Sequence, residues 1–232
     1  MFQLKDVSLV YDMGKEDVTY ALRNINLEVE NKGLVGIIGP SGSGKSSILY
    51  VMAGLKNATS GSITYMGRTF KEMSIDSRAD LRLKEFGFIF QRGFLIEYLS
   101  VIDNVLVPVN KKSKALKVKA EELLERLGIG GLKNKKPYQL SGGQRQRAVM
   151  ARALINEPQV VFADEPTSAL DHKSASEVMS LLAEYSKEKL VITVTHDTSI
   201  LKDAHRVISM WDGCIPRSDQ EYLKTGDRGD EK

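Results

Sequence analysis

The stretch GPSGSGKS, residues 39–46, is the strongest chemical signal in the sequence. It fits the pattern G-x-x-x-x-G-K-[ST] in full, in which glycines let backbone N–H groups converge on phosphate oxygens. The apolar run LVGIIG before it predicts a buried strand, and residues 44–54 predict a helix whose N-terminus adds partial positive charge. Lys45 can neutralise the β- and γ-phosphates of a nucleotide, and the Ser46 hydroxyl can bind Mg²⁺. A glycine-rich turn without function is the alternative, and the flanking strand and helix disfavour it.

Two neighbouring carboxylates follow another apolar run, VVFAD, at residues 160–164. A triphosphate site needs a carboxylate at the end of a nearby strand, and Asp164 can hold Mg²⁺ there through water. Glu165 can face the γ-phosphate and polarise the attacking water. An isolated Asp-Glu pair is usually surface decoration, but a complete phosphate loop in the same chain favours a catalytic pair.

A second glycine motif, LSGGQRQR at residues 140–147, also has the form of a phosphate-binding helix start. Other nucleotide-binding classes do not account for it. A GTPase is expected to carry N-K-x-D for guanine, and the nearest match, NKKP at residues 134–137, lacks the acid. A small-molecule kinase or a helicase leaves the second motif unexplained.

The bulk composition narrows the class of protein. The chain has 232 residues, 42% hydrophobic and 27% charged, as is ordinary for a soluble globular protein. A net charge of +3 is too small to predict a nucleic-acid partner. The single cysteine, Cys214, excludes an internal disulfide and fits a reducing compartment. We find no signal peptide and no apolar run near the roughly 18 residues of a membrane span, so we expect any membrane part on another chain.

The alternation of strand and helix patterns predicts an α/β fold. Alternating apolar residues at 2–7 and 25–29 predict an N-terminal antiparallel β subdomain. Continuous apolar runs predict a P-loop NTPase core with a mostly parallel sheet, and they lie at residues 34–39, 86–90, 159–164 and 190–195. Helical spacing from about 92 to 157 predicts an inserted α-helical subdomain. We assign one ATPase domain to residues 1–216 and a polar, disordered tail to residues 217–232.

Six motifs together resemble the nucleotide-binding subunits of ABC transporters. In the order in which that family carries them, they are GPSGSGKS, Gln91, LSGGQ, VVFADE, SALD and His196. The resemblance covers residues 1 to about 216 and implies an ATPase with ATP and Mg²⁺ as cofactors. Ser47 stands where the family usually has threonine and Leu34 where glutamate is common, and neither change removes a required donor or ligand.

The resemblance implies a role for each matching residue. Glu165 is expected to be the general base, His196 to contact the γ-phosphate, and Gln91 to reach Mg²⁺ from a loop facing the membrane subunit. Tyr11 is expected to stack on adenine, although a strand-end tyrosine is the commoner meaning of such a residue. The implied catalytic residues are Lys45, Gln91, Glu165 and His196. The implied nucleotide contacts are Tyr11, Gly39, Ser41, Gly42, Ser43, Gly44, Lys45, Ser46, Ser47, Ser141, Gly142, Gly143, Gln144 and Asp171, and the implied metal ligands are Ser46, Gln91 and Asp164.

The family also implies a head-to-tail homodimer that encloses MgATP at its interface. Each site would join the phosphate loop of one chain to Ser141, Gly142 and Gly143 of the other. The loop SALD, residues 168–171, would cross between protomers.

A longer stretch, FGFIFQRGFLIEYLSVIDNVLVPV, resembles the lipoprotein-release, macrolide-export and peptide-antibiotic-resistance transporters. Such ATPases drive a separate integral membrane permease from the cytoplasmic face of the cell membrane, for export or extraction of a substrate. The alternative is a mechanical or signalling ATPase of the cell-division type. A soluble ABC ATPase of translation or DNA repair is disfavoured, because the chain has neither tandem cassettes nor a long coiled-coil insertion.

Overall fold

The computed structural model of the chain describes residues 1–11, 19–109 and 113–220. Every regular element is numbered in chain order within those ranges. The strands are β1 (Phe2–Tyr11), β2 (Thr19–Val29), β3 (Gly33–Ile38), β4 (Ser60–Tyr65), β5 (Arg68–Thr69), β6 (Phe86–Ile89), β7 (Val160–Asp164), β8 (Leu190–Thr195) and β9 (Arg206–Ser209). The α-helices are α1 (Lys45–Met52), α2 (Ile75–Glu85), α3 (Val101–Val105), α4 (Lys114–Arg126), α5 (Gly142–Leu154), α6 (His172–Ser186) and α7 (Arg217–Gln220). Short 3₁₀ helices lie at Phe70–Glu72, Gly130–Leu132, Pro137–Gln139 and Thr198–Leu201.

The strands form two sheets. One has the order β2-β1-β4-β5 and pairs antiparallel throughout. The other has the order β6-β7-β8-β3-β9 and pairs parallel throughout. Every residue of β7 and β8 is buried, which explains why their sequences are continuous apolar runs. The predicted P-loop NTPase fold with an antiparallel N-terminal sheet is confirmed.

Two hydrophobic clusters hold the layers together. The first joins the two sheets and contains a group of phenylalanine rings, with Phe162 centred 5.9 Å from Phe2 and 5.2 Å from Phe86. The second lies on the other face of the parallel sheet, under α3, α4, α5 and α6. Strand β3 serves both, because Val35 packs in the first cluster and its neighbour Leu34 in the second.

The parallel sheet determines where the chemistry lies. The carboxyl ends of parallel strands share one edge, and ligands of open α/β sheets bind there. The residues that leave this edge are the phosphate loop after β3, Gln91 after β6, Asp164 and Glu165 at the end of β7, and His196 after β8.

Two segments differ from the sequence-based expectation. Helix α2 was not predicted, because Leu81 is its one buried residue and a polar helix carries little apolar periodicity. The start of the predicted disordered tail is instead helical, since Asp219 is held to β9. Its carboxylate accepts the Ser209 N–H at 2.8 Å and its carbonyl accepts the Arg206 guanidinium at 2.5 Å. Residues 221–232 lie outside the described part of the chain.

None of the helices in the described ranges is both long and apolar enough to cross a membrane.

Candidate active site

The phosphate loop, residues 39–46, connects β3 to α1 through left-handed backbone. Gly44 lies at the N-cap of α1 with φ of 96°. A Cβ there would come within 2.3 Å of the Ala21 carbonyl oxygen, so both conformation and space require glycine. Gly42 has φ of 80°, and a Cβ there would meet nothing within 4 Å. The backbone is therefore held in the form that presents N–H groups to a phosphate.

Two side chains of the loop fit an anion. Lys45 is 8% exposed, and its ammonium donates to the carbonyl oxygens of Gly39 and Pro40, each at 2.8 Å. The Ser43 hydroxyl is buried and has no hydrogen-bond partner among the described residues. No ion pair to Lys45 is found in the described part of the chain, and burying a cation or a donor without a partner is costly, so a bound phosphate would satisfy both groups.

Asp164 is fixed at both of its carboxylate oxygens by α1. The Ser46 hydroxyl donates to Oδ1 at 2.9 Å, and the Tyr50 phenol donates to Oδ2 at 2.6 Å. Asp164 is 4% exposed at the end of β7. The hydroxyl of Ser46 and the carboxylate of Asp164 are the hard oxygen donors that Mg²⁺ prefers, so the residues fit a magnesium site.

Tyr50 is the site residue that the sequence analysis missed. Burial, and then the hydrogen bond to Asp164, raise the pKa of the Tyr50 phenol far above its usual value, so it remains a donor at neutral pH. A signal was available, since Tyr50 lies four residues after Ser46 and i, i+4 positions share a helix face.

Glu165 and His196 meet because β7 and β8 are adjacent. The His196 Nδ1 lies 3.0 Å from each carboxylate oxygen of Glu165. The Glu165 side chain is 13% exposed and that of His196 is 66% exposed. Glu165 has φ of 47°, and its N–H donates to the Val194 carbonyl at 3.0 Å. Left-handed backbone at a residue other than glycine is costly and is concentrated at functional sites.

Gln91 is exposed on the loop after β6 and lines one cavity with Glu165, of about 180 Å³. Gln146 of α5 lines the same cavity, and its side-chain nitrogen is buried without a partner among the described residues. Three parts of the predicted site therefore line this cavity: the loop that carries Gln91, the predicted base Glu165, and helix α5, which begins at the second glycine motif.

The segment LSGGQ, residues 140–144, is the signature segment, and it begins α5. Ser141 is its N-cap and accepts the Gln144 N–H at 3.3 Å, while the Gln144 side chain accepts the Ser141 N–H at 3.0 Å. This reciprocal capping box explains the Ser-x-x-Gln spacing. Within the described ranges, no hydrogen bond joins the signature segment to the phosphate loop of the same chain. Gln144 is engaged in the cap, and its predicted nucleotide contact stays a prediction.

The remaining predicted contacts have local partners. Asp171 caps α6, and the bonds from the Ser174 N–H and hydroxyl, at 3.0 and 2.7 Å, hold the pKa of Asp171 below its usual value. The Lys56 ammonium lies 4.6 Å from the Tyr11 ring centroid and covers one ring face. Ser41 is exposed in the phosphate loop, and Ser47 is half-buried in α1. The roles predicted for these residues remain predictions.

The comparisons with known proteins agree with this geometry. A family model described as ABC transporter matches residues 22–168. The chain belongs to the ABC transporter family. This ABC ATPase is 44% identical over 219 residues to an uncharacterized ABC transporter ATP-binding protein of Methanocaldococcus jannaschii, covering 93% of this chain and 97% of the relative.

A second relative is the macrolide export ATP-binding/permease protein MacB of Mannheimia succiniciproducens. It is 39% identical over 226 residues, which are 96% of this chain and 35% of the relative, so the chain spans about a third of that protein's length. Among solved structures, a dimeric post-hydrolysis ATP-binding cassette bound to ADP and Pi superposes with a TM-score of 0.86 at 37% identity, covering 94% of this chain and 97% of that one. The predicted ABC ATPase and its resemblance to macrolide exporters are confirmed, and the ABC ATPase binds and hydrolyses ATP.

Proposed function

We propose that this ABC ATPase hydrolyses MgATP with Glu165 as the general base. The observation that carries the proposal is the Glu165 carboxylate, largely withdrawn from water and 3.0 Å from His196 Nδ1. Ser46 and Asp164 would hold Mg²⁺, which neutralises part of the negative charge of the phosphates when it is bound. Lys45 would bind the β- and γ-phosphates. Gln91 would reach both the metal and the attacking water, and His196 would contact the γ-phosphate.

The replacement Glu165→Gln tests the base. It preserves shape and hydrogen bonding but cannot accept a proton, so we expect turnover to fall by about 10²–10⁴-fold while ATP binding persists. ATP hydrolysis and nucleotide binding are measured on the same preparation. Retention of most of the wild-type rate would remove Glu165 from this role.

We further propose that the protein works as a homodimer, with the signature segment of one protomer on the nucleotide of the other. The dimeric solved cassette at 37% identity supports this arrangement. So does the lack, among the described residues, of any hydrogen bond between the signature segment and its own phosphate loop. The exposed Ser141 and Gly142 begin a helix of 13 residues, whose N-terminus favours an anion.

The partner that we propose is an integral membrane permease, which this ATPase would drive from the cytoplasmic face for export or extraction of a substrate. The MacB relatives are named as macrolide export ATP-binding/permease proteins, which supports export. The M. jannaschii relative, matched over 97% of its length and named only as ATP-binding, supports a permease on a separate chain. The ATPase unit would be residues 1–216, with the helices between 92 and 157 as its moving lobe.

An apolar groove beside Gln91 supports that partner. The groove has a volume of about 520 Å³, and the rings of Phe86, Phe88, Phe90 and Phe94 line it. Phe94 is 61% exposed, and it adds to a contiguous apolar lining of the kind that marks interaction sites. The groove therefore suits an apolar helix of the permease. Phe90 and Phe94 line the groove on either side of Gln91 in the chain, so a movement of the bound helix would be passed on to Gln91.

A further inference from the structure

Tyr50 joins α1 to the metal end of β7 through its phenol. The phenol oxygen lies 2.6 Å from Asp164 Oδ2, on the side of the carboxylate away from the Ser46 hydroxyl, which lies 2.9 Å from Oδ1. A single hydrogen bond leaves a carboxylate free to rotate about its Cβ–Cγ bond. Two donors one helical turn apart fix its plane, because each oxygen is held separately.

The ring of Tyr50 also packs against Phe90, which follows β6 and directly precedes Gln91. Its centroid lies 6.4 Å from that of Phe90, with the planes inclined at 57°. That spacing is within the range of favourable aromatic pairs. The Tyr50 side chain therefore contacts one proposed metal ligand, Asp164, and the chain neighbour of another, Gln91.

We propose that Tyr50 is a positioning residue for the divalent cation of the active site. This rests on the proposed function, in which Ser46 and Asp164 hold Mg²⁺. The phenol acts through Asp164: it holds Oδ2 so that the remaining lone pairs of the carboxylate keep a fixed direction toward the cation and its waters. Partners that orient a metal ligand in this way typically change metal affinity by about 10- to 100-fold when they are removed.

The test replaces Tyr50 with phenylalanine, which keeps the ring against Phe90 and removes only the hydroxyl. Tyr65→Phe is the matched control, because the Tyr65 phenol likewise donates to a carboxylate, Glu85 Oε2 at 3.0 Å, but in the antiparallel sheet. Manganese binding to the whole chain is followed by electron paramagnetic resonance with saturating ADP. Binding of ADP without metal is measured in parallel.

We expect Tyr50→Phe to weaken manganese binding by about tenfold, with ADP affinity in the absence of metal unchanged. Tyr65→Phe should bind manganese like the wild type. The magnesium concentration for half-maximal ATP hydrolysis should rise by a similar factor in Tyr50→Phe, and saturating magnesium should restore kcat. Loss of kcat that magnesium does not restore would contradict a positioning role.

Three further results overturn the proposal: wild-type manganese affinity in Tyr50→Phe, equal weakening in both variants, or a change of metal-free ADP affinity. Failure of the wild type itself to bind manganese with ADP would instead reject the proposed metal site. Thermal melts report folding, and Tyr50→Met serves if the phenylalanine variant does not fold, with the same loss of metal affinity expected.

Discussion

At the scale of single residues, the site depends on side chains that take no part in the chemistry but hold its loops in place. Asn104 is the clearest case: it is 0% exposed on α3, yet it is polar. Its Oδ1 accepts the Ile96 N–H at 2.7 Å, and its Nδ2 donates to the carbonyls of Ile96 and Ser100 at 3.1 and 3.0 Å. Asn104 thereby closes the loop that starts at Gln91, which explains one residue of the longer stretch that resembles the macrolide exporters.

We expect Asn104→Ala to lower the free energy of unfolding by about 2–3 kcal/mol, because the Ile96 N–H loses its acceptor and the carbonyls of Ile96 and Ser100 each lose one of two donors. Chemical denaturation measures the change. The control is Asn134→Ala, an exposed position where a loss within about 0.5 kcal/mol is expected. Equal stability of the two variants would mean that water replaces Asn104 without cost.

The site residues that belong to a recognisable sequence motif were the easiest to predict. The phosphate loop, Asp164 and Glu165 follow from glycine spacing and from carboxylates at a strand end. Tyr50 did not follow, because tyrosine in a helix is most often a packing residue and its partner is 114 positions away. The His196–Glu165 contact needed the strand order, which a sequence read without structure does not contain.

At the scale of elements, burial separates what the sequence could predict from what it could not. The strands of the parallel sheet were found because burial on both faces leaves apolar runs. Helix α2 was not found, since it buries a single residue, Leu81, and so carries little apolar periodicity. Its N-cap, Ser74 accepting the Ser77 N–H at 3.1 Å, was the remaining signal.

The groove beside Gln91 yields a prediction at this scale. Arg152 of α5 donates to the Phe94 carbonyl at 2.6 Å and to the Gly93 carbonyl at 2.5 Å, so the groove wall has a fixed shape. Phe94→Asp places a charge in the apolar lining, and its φ of 48° suits aspartate. We expect an integral membrane protein that co-purifies from solubilised native membranes with the tagged wild type to be lost from this variant.

The matched control is Ile75→Asp, an apolar position 76% exposed outside the groove. The same membrane protein should remain with this variant. If Phe94→Asp retained it in wild-type amount, the groove would not be the docking surface.

At the scale of the whole molecule, the prediction concerns two chains. Ser141→Arg should abolish ATP hydrolysis by the proposed homodimer, because a bulky cation would block the signature segment. Nucleotide affinity measured on dilute monomer should be unchanged, since the phosphate loop lies elsewhere. Turnover and binding are measured across protein concentration.

Ser113→Arg is the control, because Ser113 caps α4 in the same way, accepting the Leu116 N–H at 3.2 Å. Each variant loses a cap worth about 1 kcal/mol, so a shared loss of stability is expected. Hydrolysis should fail in Ser141→Arg alone. Loss of monomer nucleotide binding in that variant would contradict a site shared between two chains.

The capping box at Ser141 has a consequence for the kinetics of pairing. A serine hydroxyl carries one proton and two lone pairs, and the Gln144 N–H uses one lone pair. Among the described residues no acceptor takes that proton, so in the proposed homodimer it would be available to a phosphate while the capping box keeps the helix start in shape. Little conformational entropy is then lost when two protomers meet, so association needs no folding step. In the proposed homodimer, the lifetime of the pair would then depend on the charge of the nucleotide between the two protomers.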